Sequence, residues 1–347
     1  MKKKKIYYYP NSSKASGPEK NPYTTNFMTG LENDFIIINK NTPTKHGLFD
    51  LLVKLTKIDF IIFNWVEDVP EKKFGFFQAI LLILLLFLKT AFKTKIVWVL
   101  HNKISHNKNH FRMKKFLVHL LISKADLILT HSKEGIRFVS QFSTKATKKV
   151  LFSHHPVHSF TEQKCEKTKS SCDILMWGQM TPYKGVYEFL KNLEKENLLN
   201  QYNIIIHGRF SSKALFEQCC QYQNKNIKII NEFIDDEQLS KLMNSSKIIL
   251  FTYAPDSVLS SGALMQSLNS NAIIIGPDIA AFHDLEKEGC IKVYNNEKSL
   301  IQILNEVLKN PSLTHEISIN RQRFFEENNW ETSLPRLNKK ILKLLYP

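Results

Sequence analysis

The sequence predicts an α/β protein built as two facing, doubly wound parallel-sheet domains with a cleft between them. Three observations carry this. Short apolar runs rich in β-branched and aromatic residues alternate with helix-length segments from end to end, the pattern of parallel sheets covered on both faces. The 347 residues are enough for two cores of ordinary size. A polar stretch without periodicity, 159–171, divides the alternating series into two.

In the first series, strands are predicted over 5–9, 35–39, 60–64, 96–100, 127–130 and 150–153, with helices over 48–56, 75–92, 111–123 and 133–142. In the second, strands are predicted over 174–177, 203–207, 227–231, 248–252, 272–275 and 291–294, with helices over 186–196, 213–222, 237–243 and 263–268. The domain boundaries follow: 1–157, a linker over 158–172, and 173–347, with the last helix placed to pack back on the first domain. No tandem repeat or low-complexity segment interrupts the series.

Charge is distributed unevenly. Residues 1–150 hold 26 Lys and Arg against 10 Asp and Glu, whereas 151–347 hold 22 of each, so the whole net charge of +16 lies in the first half. Such a half is drawn to phosphates, of nucleic acid or of an anionic membrane. The longest apolar run, 74–88 (FGFFQAILLILLLFL), is interrupted by Gln78 and flanked by Lys72, Lys73, Lys89, Lys93 and Lys95. It is shorter than the ~20 residues a bilayer-spanning helix requires. Either it is a core helix buried on all sides, or it lies in the membrane interface with its lysines at lipid phosphates, and the surrounding charge favours the latter. The basic start, Met1 to Lys5, precedes too short an apolar segment for a signal peptide. The five cysteines (Cys165, Cys172, Cys219, Cys220, Cys290) form no C-x-x-C pair, which argues against a zinc knuckle and for a reducing cytosol.

Ligands of open parallel sheets bind where strands exit into helix N-termini, and those loops hold the unusual residues. The strand over 174–177 exits into Gly178-Gln179-Met180-Thr181-Pro182-Tyr183-Lys184-Gly185. There Gly178 lets backbone approach a ligand and Lys184 brings a charge to a helix N-terminus, an arrangement able to hold a diphosphate without a metal. The strand over 248–252 leads through Asp256 to Ser260-Ser261-Gly262-Ala263, which leaves amides for an anion, although Ser261 alone would equally serve as an N-cap.

These stretches, with Asn271-Ala272-Ile273-Ile274-Ile275-Gly276-Pro277 after them, resemble the donor domain of the GT-B glycosyltransferases of the "group 1" nucleotide-sugar superfamily. Trp98-Val99-Leu100-His101-Asn102 with His106, and Asn21-Pro22-Tyr23, are similar to a branch acting in bacterial exopolysaccharide and lipid-linked-sugar synthesis. The resemblance covers essentially the whole chain. It implies donor-binding roles for Gly178, Lys184, Arg209, Ser261, Gly262, Ala263 and Gln266, and acceptor or cleft roles for Asn102, His106 and His131. Two departures stand out. Gln179 occupies the place of the family's diphosphate arginine, so Lys184 and Arg209 inherit its load. The family's pair of glutamates falls near Val258 and Gln266, with Asp256 the nearest carboxylate to the first, which makes an inverting transfer at least as plausible as a retaining one. An inverting reaction needs a base in the first half. Glu67, Asp68 and His101, all at strand exits, are the candidates.

The expectation is therefore a glycosyltransferase that moves a sugar from a nucleotide diphosphate sugar to a lipid-linked or membrane-proximal glycan acceptor in cell-surface polysaccharide synthesis. It would be cytoplasmic and peripheral on the inner face of the membrane. No metal or other cofactor is expected: there is no D-x-D sequence, and Asp235-Asp236-Glu237 is explained by helix capping. No nucleic-acid partner is expected either, since no recognition helix or aromatic-studded RNA motif appears. The alternatives are a basic nucleic-acid-binding protein, a catalytically inactive scaffold of the same fold, and an epimerase or phosphorylase of similar architecture.

Overall fold

A computed structural model describes residues 3–11, 22–42, 44–103, 109–157, 172–255, 258–310 and 312–346. The chain divides into two units, one of residues 1–156, 258–260 and 327–347, the other of 157–257 and 261–326. His106, Asp256 and residues 158–171 of the predicted linker (158–172) lie outside the described residues, and Cys172, given to the linker, instead begins a strand of the second sheet.

The first unit is a six-stranded, wholly parallel sheet in the order β2-β1-β3-β4-β5-β6, formed by β1 (Lys4–Tyr9), β2 (Phe35–Ile37), β3 (Phe60–Asn64), β4 (Lys95–Leu100), β5 (Leu127–Thr130) and β6 (Val150–Phe152). The central strands β3, β4 and β5 are buried almost throughout, which is why they read as continuous apolar runs and not as alternations. β2 is shorter than the predicted 35–39. Beyond Ile37 the Asn39 side chain takes over the ladder, accepting from Tyr8 N at 3.0 Å and donating to Tyr8 O at 2.8 Å. The predicted helix over 48–56 is a four-residue turn, α2 (Phe49–Leu52), followed by a 3₁₀ turn at Leu55–Lys57.

One face of this sheet is covered by α1 (Pro22–Leu31) and the C-terminal helix α13 (Trp330–Leu345). Trp330, Leu334, Leu337, Ile341 and Leu345 recur at helical spacing and share a core with Phe27, Leu31, Val97 and Val99. Asn338 Nδ2 fastens α13 to α1 by donating to Gly30 O at 3.1 Å and Asp34 Oδ2 at 2.8 Å. On strand β4, Trp98 points to the opposite face from Val97 and Val99. Helices α3 (Gly75–Leu88), α4 (Phe111–Lys124) and α5 (Lys133–Phe142) complete the unit, with α4 packed on both α3 and α5.

Helix α3 is not buried on all sides, which corrects one of the two readings of the greasy run. Only one side is buried, through Ala79, Leu82, Leu85 and Leu86, while Phe76, Phe77, Ile80, Leu84, Phe87 and Leu88 are exposed. Gln78 belongs to the buried side: its Oε1 accepts from Leu48 N at 2.9 Å and its Nε2 donates to Lys73 O at 2.7 Å. Among the described residues, no helix is long and apolar enough to cross a membrane.

The second unit is a parallel six-stranded sheet ordered β12-β11-β10-β7-β8-β9. Its strands are β7 (Cys172–Trp177), β8 (Ile204–His207), β9 (Ile227–Ile230), β10 (Ser246–Leu250), β11 (Ile273–Pro277) and β12 (Lys292–Tyr294). Helices α6 (Val186–Lys195), α7 (Lys213–Cys220), α8 (Asp236–Asn244), α9 (Gly262–Ser267), α10 (Ala280–Lys287), α11 (Glu297–Lys309) and α12 (Leu313–Asn328) alternate with and follow these strands. The core is aliphatic, centred on Ile174, Ile204, Ile206, Ile248 and Ile275 with Phe189 and Leu190 of α6. Buried Arg321 of α12 ties loose ends together by donating to the carbonyls of Cys290, Ser270 and Ala272 at 2.8–2.9 Å.

Candidate active-site residues

In the second unit, two loops identified in the sequence meet. β7 exits at Trp177 into Gly178, whose φ of +97° lies in a region that side-chain-bearing residues rarely adopt. The next strand exit crowds it: a Cβ on Gly208 would sit 1.9 Å from Gly178 O. Met180 N, donating to Arg209 O at 2.7 Å, zips the loops after β7 and β8 together, and Arg209 itself stands exposed on this edge.

The 3₁₀ turn Pro182–Lys184 then folds Lys184 back under Gly178. Its Nζ donates to Trp177 O at 3.4 Å, lies 5.7 Å from the Tyr253 ring centroid and makes no ion pair with any described residue. Only 7% of Lys184 is exposed, and burial lowers its pKa to about 8. The loop after β10 is tied on by Thr252 Oγ1 donating to Lys184 O at 2.5 Å and Ala254 N donating to Tyr183 O at 2.8 Å. From there Tyr253 OH reaches Ser261 Oγ at 3.1 Å, and Ser261 caps α9 by accepting from Leu264 N. Trp177 Nε1 anchors the same helix to β7 through Ser267 Oγ at 2.9 Å. Gly262 faces open space, and Ala263 follows it in the first turn of α9. Gln266 donates to Asp236 Oδ1 at 3.3 Å, a link across to the start of α8.

In the first unit, the carboxyl ends of β3 to β6 gather a cluster that the sequence disclosed only in part. His101 is stacked on Trp65 (centroids 4.1 Å apart, planes at 14°) and meets the Tyr23 ring edge-on at 5.0 Å. Trp65 holds a positive φ of 48°, an uncommon conformation for a bulky residue. Asn64 Nδ2 donates to Tyr9 O at 3.3 Å, which turns its Oδ1 toward His101 Nε2 at 3.0 Å. Nε2 therefore carries the proton and Nδ1 the lone pair. His131 has the other tautomer: Nδ1 donates to Ser153 O at 2.9 Å, leaving Nε2 to accept from Tyr23 OH at 2.8 Å. Burial, then His131 and His155, hold His101 well below the usual histidine range, and burial with His155 holds His131 at about 3. Both rings are neutral at pH 7. Asn64, Trp65, His155 and Trp330 complete this cluster. Asn102 follows His101 at the rim, half-buried.

Glu67 and Asp68 do not join His101. They lie in a 3₁₀ turn, Val66–Glu71, and Glu67 Oε2 accepts from Trp98 Nε1 at 3.0 Å, on the sheet face opposite the α1–α13 side. Burial, with Asp68 adding to it, raises Glu67 to about 7. Asp68 pairs with buried Lys114 of α4 at 3.5 Å, and Lys114 also contacts Glu71. Among the described residues, no group of three His, Cys, Asp or Glu side chains is arranged to hold a metal ion.

No family model matches the chain, and no curated protein matches it. Solved structures do. A crystal structure of Anabaena HepE in complex with UDP aligns over 99% of both chains with a TM-score of 0.69 at 14% identity. A glycosyltransferase from Rickettsia africae aligns over 100% of both (TM-score 0.62, 16% identity). A UDP-forming α,α-trehalose-phosphate synthase from Burkholderia vietnamiensis aligns over 99% of both (0.63, 9%). With two parallel six-stranded sheets flanked by helices, each Rossmann-like, and neighbours of this kind along its whole length, the chain has the GT-B fold.

Proposed function

We propose that the chain is a metal-independent glycosyltransferase that uses a nucleotide diphosphate sugar. The observation that carries this is Lys184, a buried ammonium at a strand exit, beneath a glycine, with no carboxylate among the described residues to neutralise it. Burying such a charge unpaired is unfavourable unless an anion arrives. A diphosphate at Gly178 would pair with it, reinforced by Arg209 and by the first-turn amides of Gly262 and Ala263. Gln266 is suited to a ribose hydroxyl, its amide oxygen accepting as a carboxylate would. HepE has been crystallised with UDP-glucose as well as UDP, which supports a uridine nucleotide as the first donor to test.

The first unit takes the acceptor. His101 is the base: neutral, with Nε2–H committed to Asn64, it offers Nδ1 to the acceptor hydroxyl. As that proton leaves, the acceptor oxygen bonds the anomeric carbon, the bond to the diphosphate breaks, and the departing charge falls to Lys184. The stereochemical outcome is inversion. The acceptor is lipid-linked or membrane-proximal, in cell-surface polysaccharide synthesis. The exposed aromatic side of α3, between Lys72–Lys73 and Lys89–Lys93–Lys95 in a half-chain of net charge +16, supports docking on the anionic inner face of the cell membrane.

The test is thermal shift against UDP, GDP, ADP, CMP and dTDP with Lys184→Ala alongside. A ligand at ~100 times its Kd adds about 2.7 kcal/mol. A shift with one diphosphate that Lys184→Ala cuts by about half or more supports the reading; a shift that survives the substitution at full size contradicts it.

A further inference from the structure

The face of the first unit opposite α13 contains a cavity of 180 Å³ between α4, α5 and the Val66–Glu71 turn. Its walls are the side chains of Phe111, Val118, Phe138 and Phe142. Glu67 and Val118 are buried, whereas Phe111, Lys115 and His119 are exposed, so the cavity runs inward from an open rim to the Glu67 carboxyl. Most of its polar groups are occupied. Lys103 pairs with Glu134 at 3.0 Å, Lys114 with Asp68 and Glu71, and Glu67 Oε2 with Trp98. Lys115, at the rim, makes no ion pair with any described residue.

This composition selects the ligand. A sugar would bury several hydroxyls against phenyl rings without partners. A free phosphate would gain one ammonium and face a carboxyl. An apolar chain fills the interior while an anionic head stays at Lys115. The rim is continuous with more apolar surface, since Phe116 is exposed beside it and α3, packed on α4, presents Phe76, Phe77, Leu84 and Phe87. Resting on the reading of a membrane-borne acceptor, we propose that this cavity receives the end of a single apolar chain of a lipid whose anionic headgroup meets Lys115.

Glu67 makes the binding pH-dependent. An apolar chain displaces the remaining water from its carboxyl and so accommodates the protonated form. Asp68 on the same turn opposes ionisation of Glu67, and Lys114 of α4 favours it; Lys103, Lys115 and His119 are the other ionisable groups around the cavity. With burial raising Glu67 to about 7, affinity for farnesol, which carries no ionisable group, falls between pH 6 and pH 8.

The probe is farnesyl phosphate, titrated calorimetrically into the full chain, with farnesol and inorganic phosphate as controls. Vesicle flotation and the nucleotide thermal shift run in parallel. Val118→Trp, which fills the cavity, should weaken farnesyl phosphate binding at least tenfold while flotation and the nucleotide shift persist. Lys115→Glu, a surface change, should weaken farnesyl phosphate but spare farnesol. Glu67→Gln should bind farnesol at pH 8 as the unaltered chain does at pH 6. Unchanged binding by folded Val118→Trp, competition by inorganic phosphate, or farnesol affinity flat between pH 6 and 8 would overturn the proposal. Farnesyl phosphate binding retained by a chain that ignores both vesicles and nucleotides would support the cavity and overturn the glycosyltransferase reading instead.

Discussion

Replacing Lys184 by methionine separates what the lysine does to folding from what it does for a ligand. Burial lowers its pKa from 10.5 to about 8, equivalent to about 3 kcal/mol against the charged form. The sign follows from linkage. Between pH 8 and 10.5 the unfolded chain binds the proton that the folded chain releases, so unliganded stability rises with pH across that window, and below pH 8 the whole penalty is present. Methionine keeps the volume and removes the charge. The unliganded Lys184→Met protein should be more stable at pH 7 by ~1–3 kcal/mol, or about 2–10 °C in Tm, and should lose that pH dependence. Nucleotide affinity moves the other way. Loss of one charge-assisted contact to a diphosphate removes about 1.5–3 kcal/mol, an increase in Kd of about 10- to 150-fold. Scanning calorimetry from pH 6 to 10, with and without UDP, reads both effects. A variant that is less stable without ligand yet still shifts fully with UDP would refute the argument that this ammonium is held for an anion.

Further expectations concern the neighbouring residues. Gly208→Ala puts a Cβ 1.9 Å from Gly178 O; it should cost about 2–4 kcal/mol in urea unfolding and abolish the nucleotide shift. His101→Gln should lower kcat by about 10²–10⁴ while leaving nucleotide Kd unchanged, and Asn64→Leu should alter the pH profile of kcat by freeing the imidazole from its fixed tautomer. Phe76→Ser with Phe77→Ser should reduce flotation with anionic vesicles at low salt while changing Tm little, because both rings are exposed.

The sequence made the strands legible because parallel strands buried on both faces leave unbroken apolar runs, and all twelve appear in the structure. The ends of elements were less visible. Nothing in 35–39 signals that the Asn39 side chain replaces the ladder after Ile37. The donor-side loops were legible because Gly178 and Lys184 are unusual at a strand exit, but their closure onto Thr252, Tyr253 and Ser261 is tertiary. In the first unit, His101 and His131 stood out as strand-exit histidines. Asn64, which sets the tautomer of His101, was read only as the last residue of a strand, and Trp330 lies 175 residues along the chain from His155 and 307 from Tyr23, two of the rings it meets. Glu67 and His101 are both near the sheet's carboxyl edge in sequence terms. Glu67 bonds Trp98, which strand alternation turns to the face opposite Val97 and Val99, whereas His101 meets Tyr23 of α1 on the other face.

The most direct measurement of sugar transfer supplies the chain with radiolabelled nucleotide sugar of the base chosen by thermal shift and a total lipid extract of the source cells. Label is expected in the organic phase, strongly reduced with Lys184→Met and with His101→Gln. Label remaining in water with a chain that binds its nucleotide would contradict transfer to a membrane acceptor.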